Sequence, residues 1–83
     1  MITKNDIVVK SRQKNHTHLS NWESYHFVVK NQPKIFIHIV NKETRINDKF
    51  PKFRFWAKIC DTLDEAKQYI TDYINKNGDA SGI

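Results

Sequence analysis

The sequence predicts an α+β domain in which an antiparallel sheet of three to four strands packs on one C-terminal helix. Two observations carry this. Between Trp22 and Val40 two runs of alternating residues flank a short turn. From Phe53 to Gly78 the period then changes from two residues to about 3.6, the mark of a strand running into a helix.

Taken in order, residues 1–9 are mixed. Asp6-Ile7-Val8-Val9-Lys10 suits a short, optional strand at an edge, where a terminal lysine discourages further pairing. Residues 10–21 carry Lys10, Arg12, Lys14, His16 and His18 among Ser, Gln, Asn and Thr, and read as a polar basic loop. From Trp22 to Lys30, Tyr25, Phe27 and Val29 share one face with Glu23. Trp22, Ser24, His26, Val28 and Lys30 share the other. Asn31-Gln32-Pro33 supplies turn residues. Ile35, Ile37 and Ile39 then alternate with Lys34, Phe36, His38 and Val40, which makes an antiparallel hairpin. Residues 41–52 form a charged connector with Lys42, Glu43, Arg45, Asp48, Lys49 and Lys52.

Phe53 to Cys60 is expected to be the next strand, with Phe53, Phe55, Ala57 and Ile59 inward and Arg54, Trp56, Lys58 and Cys60 outward. The helix is expected over residues 62–76. Thr62 and Glu65 form a capping box, Asp61 and Asp64 suit the helix start, and Gly78 can take the left-handed position at its end. Its apolar stripe is Leu63, Ala66, Ile70, Tyr73 and Ile74. Residues 77–83 read as a flexible tail, so the sheet spans 22–60 of a single small domain covering 1–83.

Composition narrows the function. A chain of 83 residues buries roughly 60–65% of its unfolded surface, so a deep catalytic cavity would be costly. One cysteine allows neither an intrachain disulfide nor a cysteine zinc site. No apolar run approaches the ~20 residues of a membrane helix. No signal-like segment follows Met1, so a soluble cytoplasmic protein without membrane contact is expected. Fourteen Lys plus Arg against nine Asp plus Glu give a net charge of +5, which favours an anionic partner such as nucleic acid. The abundance of Asn, Lys and Ile fits coding in an AT-rich genome.

A lone helix can cover one face of the sheet. The face left over would carry Trp22, His26, Lys30, Phe36, His38, Arg54, Trp56 and Lys58, with no carboxylate. Aromatic rings beside cations suit base stacking and phosphate contact, and Trp and Arg also dominate protein interfaces. Lys10, Arg12, Lys14 and Arg45 in the flanking loops would add phosphate contacts. The competing reading is that residues 1–10 fold across this face and bury its aromatics.

No enzyme chemistry stands out. Asp61, Asp64 and Glu65 are accounted for by the helix start, and the only glycines, Gly78 and Gly82, make no phosphate loop. His16 and His18 with a third histidine could be drawn as a metal site, but nothing brings a third ligand near. Neither metal nor cofactor is expected. An edge strand that paired with a second copy would give a homodimer.

Tyr25, Phe27 and Val29, Ile35 and Ile37, Phe55, and the run Thr62-Leu63-Asp64-Glu65-Ala66 resemble the arm-type DNA-binding domains of phage and transposon integrases over roughly residues 22–75. The resemblance implies a three-stranded sheet plus helix whose exposed face enters the DNA major groove. His26, Lys30, Phe36, His38, Arg54, Trp56 and Lys58 would lie at the contact. The chain departs from that family in its long connector and its lack of glycine turns, and no recombinase catalytic domain accompanies it. The same element order is similar to small phage proteins that disable host enzymes, including anti-CRISPR proteins. Two expectations follow: a non-enzymatic nucleic-acid-binding protein of phage or mobile-element type, or a phage-encoded inhibitor docking a host protein through the same face, in either case acting in the host cytoplasm.

Overall fold

A computed structural model describes residues 1–16, 21–43 and 53–83, with side chains at 1–13, 23–39 and 53–83. The architecture is α+β. Strands β1 (Ile7–His16), β2 (Asn21–Val29) and β3 (Gln32–Glu43) form an antiparallel sheet in the order β1-β2-β3. The two-residue strands β4 (Phe53–Arg54) and β5 (Ile59–Cys60) pair separately, and helix α1 (Leu63–Asn77) follows.

The β2–β3 hairpin follows its alternation. Tyr25, Phe27, Val29, Ile37 and Ile39 are buried, and Phe27 pairs with Ile37 across the strands. The turn lies one residue earlier than Asn31-Gln32-Pro33. Lys30 and Asn31 form it, with Asn31 at φ 64°, a left-handed position that asparagine tolerates. Pro33 sits inside β3 where the register slips between Val28 and Val29, a place that does not need its missing N–H.

The sheet's third strand is not the one expected. β1 runs through residues 10–16, where the sequence predicts a loop, and pairs with β2 along its whole length. A register shift between Val9 and Ser11 makes Lys10 the extra residue of a bulge. Ile7 and Val9 face the core before it. After it Arg12 stands opposite Tyr25, whereas strict alternation would have turned Arg12 outward.

The segment Phe53–Cys60 is a tight hairpin rather than one strand. Phe53 opposes Cys60, Arg54 opposes Ile59, and the Phe55 N–H donates to the Lys58 carbonyl at 2.7 Å, which leaves Trp56 and Ala57 at the tip. The reversal corrects the expected faces. Phe53, Phe55 and Cys60 are buried, while Ala57 and Ile59 are exposed.

Helix α1 has the expected N-cap but only half of the expected capping box, because Glu65 reaches the Asp61 N–H rather than that of Thr62. Thr62 Oγ1 accepts from the Glu65 N–H at 3.1 Å, and Glu65 Oε2 accepts from the Asp61 N–H at 3.3 Å. Gly78 closes the helix at φ 84° and donates its N–H to the Ile74 carbonyl. Ala66, Ile70, Thr71 and Ile74 are buried against the sheet, while Leu63 lies at the rim of the stripe and is exposed. Residues beyond Gly78 fold back rather than trail away. The Trp56 N–H donates to the Ile83 carbonyl at 2.8 Å, Tyr73 Oη donates to the Ser81 carbonyl, and Ala80 and Ile83 pack on the core.

The first residues run along the helix. Asn75 exchanges two hydrogen bonds with the Ile2 backbone, at 3.0 and 2.9 Å, and Lys4 Nζ meets Asp64 at 2.8 Å. Residues 1–6 are therefore tied to the helix side, and residues 7–16 are a sheet edge. Neither crosses the opposite face.

Candidate ligand-binding face of the sheet

Two cross-strand rows define the face turned away from the core. Val8, Val28 and Phe36 lie opposite one another, and Ser11, His26 and His38 form the next row. Each residue alternates with a core residue, so burying Phe27 and Ile37 obliges His26, Phe36 and His38 to point away. Phe36 is 62% exposed, and His38 is exposed as well. Lys30 and Lys34 stand exposed at the hairpin end.

The imidazole of His26 is half-buried. It meets Phe36 edge-on at 5.4 Å between centroids and His38 at 5.8 Å. Its Nε2 is shut from water and is, among the described residues, a buried side-chain polar atom with no hydrogen-bond partner. Such an atom costs about 1–3 kcal/mol. His26→Leu should therefore leave the domain as stable or about 1 kcal/mol more stable in urea unfolding; a clear loss would show that Nε2 has a partner.

Charge separates the two sides. Among the described side chains, Asp61, Asp64, Glu65, Asp72 and Asp79 lie on the helix or beside it, Asp6 caps the N-terminal turn, and Glu23 is buried on the core face. The rows around His26 carry none.

The expected single surface is divided in two. Arg54, Trp56 and Lys58 belong to the β4–β5 hairpin, which pairs outside the three-stranded sheet. Lys58 Nζ lies 5.8 Å from the centre of the Tyr69 ring on the helix, and the Trp56 backbone binds Ile83. Trp56 is 89% exposed. Arg12 is occupied within the fold: its guanidinium binds Glu23 at 3.1 Å and lies 5.3 Å over the Tyr25 ring. Lys10 is exposed at the bulge. The side chains of Lys14 and Trp22, and Arg45 altogether, lie outside the described residues, as do Lys49 and Lys52. Two residues that the pattern did not single out also bear on this face, Val8 and Lys34. Val8 is visible only once β1 is known to pair with β2.

Cys60 is fully buried, and burial pushes its thiol pKa up. Lys58 opposes this, and Glu65 and Asp61 add to it. A buried thiol held protonated is a packing group rather than a nucleophile. Among the described residues no group of three His, Cys, Asp or Glu side chains is placed to hold a metal, and no helix is long and apolar enough to cross a membrane.

Together these features define a small α+β protein whose sheet has, among the described residues, a carboxylate-free outer face on which Phe36 and His38 are exposed and Ser24 is buried. No protein-family model matches the chain, and no curated protein or solved structure matches it either.

Proposed function

We propose that the protein is a non-enzymatic binding protein whose outer sheet face binds nucleic acid. The observation that carries this reading is the segregation of charge and rings. One face presents Phe36 and a facing pair of imidazoles, flanked by Lys30 and Lys34, and every described carboxylate lies elsewhere. A sheet face of this kind offers rings to bases and cations to phosphates. The overall charge of +5 gives the non-specific attraction.

The test is fluorescence anisotropy with labelled single-stranded and duplex oligonucleotides at several salt concentrations. Binding should weaken steeply with salt. Lys34→Ala should reduce the slope of log K against log salt by roughly 0.7–0.9, the value of one phosphate contact. Adding Phe36→Ala and His38→Ala should lower affinity more than tenfold with little change in the thermal melt. A salt-independent signal, or full binding by the triple variant, overturns the reading. A stoichiometric protein captured through this face from nuclease-treated bacterial lysate would replace it with the inhibitor reading, in which a phage-type protein docks a host protein.

A further inference from the structure

The β4–β5 hairpin is built unlike a surface turn. Phe53, Phe55 and Cys60 are buried at 5%, 4% and 0% exposure and bolt its stem into the core. Phe55 packs on Tyr69 with ring centroids 4.7 Å apart, and the Phe55–Lys58 and Trp56–Ile83 backbone hydrogen bonds fix its tip. On this anchored tip Trp56 projects into solvent, with Ala57 and Ile59 exposed beside it. An indole held on a fixed backbone loses little freedom when it meets a ligand.

The surroundings of the ring point to the ligand's chemistry. A shallow depression at the tip is lined by Arg54, Phe55, Trp56, Ala57, Lys58 and Ile59. The hairpin contributes two cations and no acid. A flat, exposed aromatic surface with a lysine in the same depression suits a planar ring carrying a phosphate. Inside a duplex the faces of the bases are covered by their neighbours, so a protruding indole stacks most readily where a base is unpaired.

We infer that Trp56 is a stacking platform for an unpaired base, with Lys58 beside it in the same depression for the adjoining phosphate, so that the protein prefers single-stranded over duplex nucleic acid. This rests on the nucleic-acid reading above and adds a second contact, on a different element from the sheet face.

The experiment compares wild type, Trp56→Ala and Trp56→Phe on a single-stranded oligothymidine and a blunt duplex of equal length. Alanine should weaken single-strand binding about 5- to 150-fold, the range for one base–aromatic stack, and leave duplex binding within twofold. Phenylalanine keeps a ring and should recover most of the loss. In a Trp22→Phe background Trp56 is the only tryptophan. Its fluorescence should then be quenched by the single strand and not by the duplex. Single-strand binding undiminished in Trp56→Ala, or equal losses on both oligonucleotides, overturns the stacking role. In that case the sheet-face reading stands if the Lys34/Phe36/His38 variant still loses binding. Wild type that binds neither oligonucleotide removes both readings.

Discussion

Phe27→Ala should cost about 3–5 kcal/mol and leave little of a cooperative unfolding transition. Phe27 is completely buried on the central strand of the sheet. Its neighbours across the strands are Val9 and Ile37, and its ring stacks on Tyr25 at 6.1 Å. The cavity left by alanine would open where both flanking strands and the helix layer meet. A domain of this size has a stability near the low end of the usual ~5–15 kcal/mol, so one such change removes most of it. Phe36, nine residues on and 62% exposed, is the control. Phe36→Ala should stay within about 0.5 kcal/mol of wild type. Urea denaturation followed by circular dichroism measures both. Equal costs for the two would mean that the outer face is covered, and the binding reading would lose its surface.

The contrast between these two phenylalanines was legible in the alternation of residues 22–40, because side-chain direction in a strand has a period of two and nothing else in the hairpin competes with it. The helix was equally legible. Thr62, Glu65 and Gly78 each do what their chemistry allows at a helix end, while Leu63 and Tyr73 stray from the stripe.

Two segments misled for physical reasons. Residues 10–16 contain no apolar side chain, so no hydrophobic period marks them. Their strand is held by its backbone ladder to β2, and the bulge at Lys10 switches which residues face the core. In Phe53–Cys60 the alternation is present, but the chain reverses at Trp56-Ala57 without glycine, asparagine or proline and without a positive φ. Turn chemistry therefore gave no warning. The consequence for the candidate site is specific. His26, Phe36 and His38 stay together on the sheet, while Arg54, Trp56 and Lys58 move to a hairpin beside the helix.

The bulge also changes what Arg12 is for, and this gives the second large effect. As a loop residue Arg12 would be a phosphate contact. In the strand it reaches a Glu23 carboxylate whose side chain is only 7% exposed, and Tyr25 Oη donates to the same carboxylate at 3.2 Å. That grouping holds the Tyr25 hydroxyl above its ordinary pKa: burial raises it most, Glu23 raises it further and Arg12 pulls the other way. Removing the arginine takes an ionic partner from a carboxylate that water cannot reach easily and that Tyr25 still binds. Breaking a fully buried pair costs 3–5 kcal/mol. The Arg12 side chain is 44% exposed, so the discounted expectation for Arg12→Met is about 2–3 kcal/mol in urea unfolding. Combining it with Glu23→Leu removes the buried carboxylate as well and should restore much of the loss, because an apolar pair of similar volume often matches a buried ion pair. The double variant should lose much less stability than the sum of the two single variants, a strong coupling in the double-mutant cycle. Arg12→Met should also leave the salt slope of nucleic-acid binding unchanged, in contrast to Lys34→Ala. Stability near wild type together with a reduced salt slope would return Arg12 to the binding surface, and would mean that the bulge does not fix its direction.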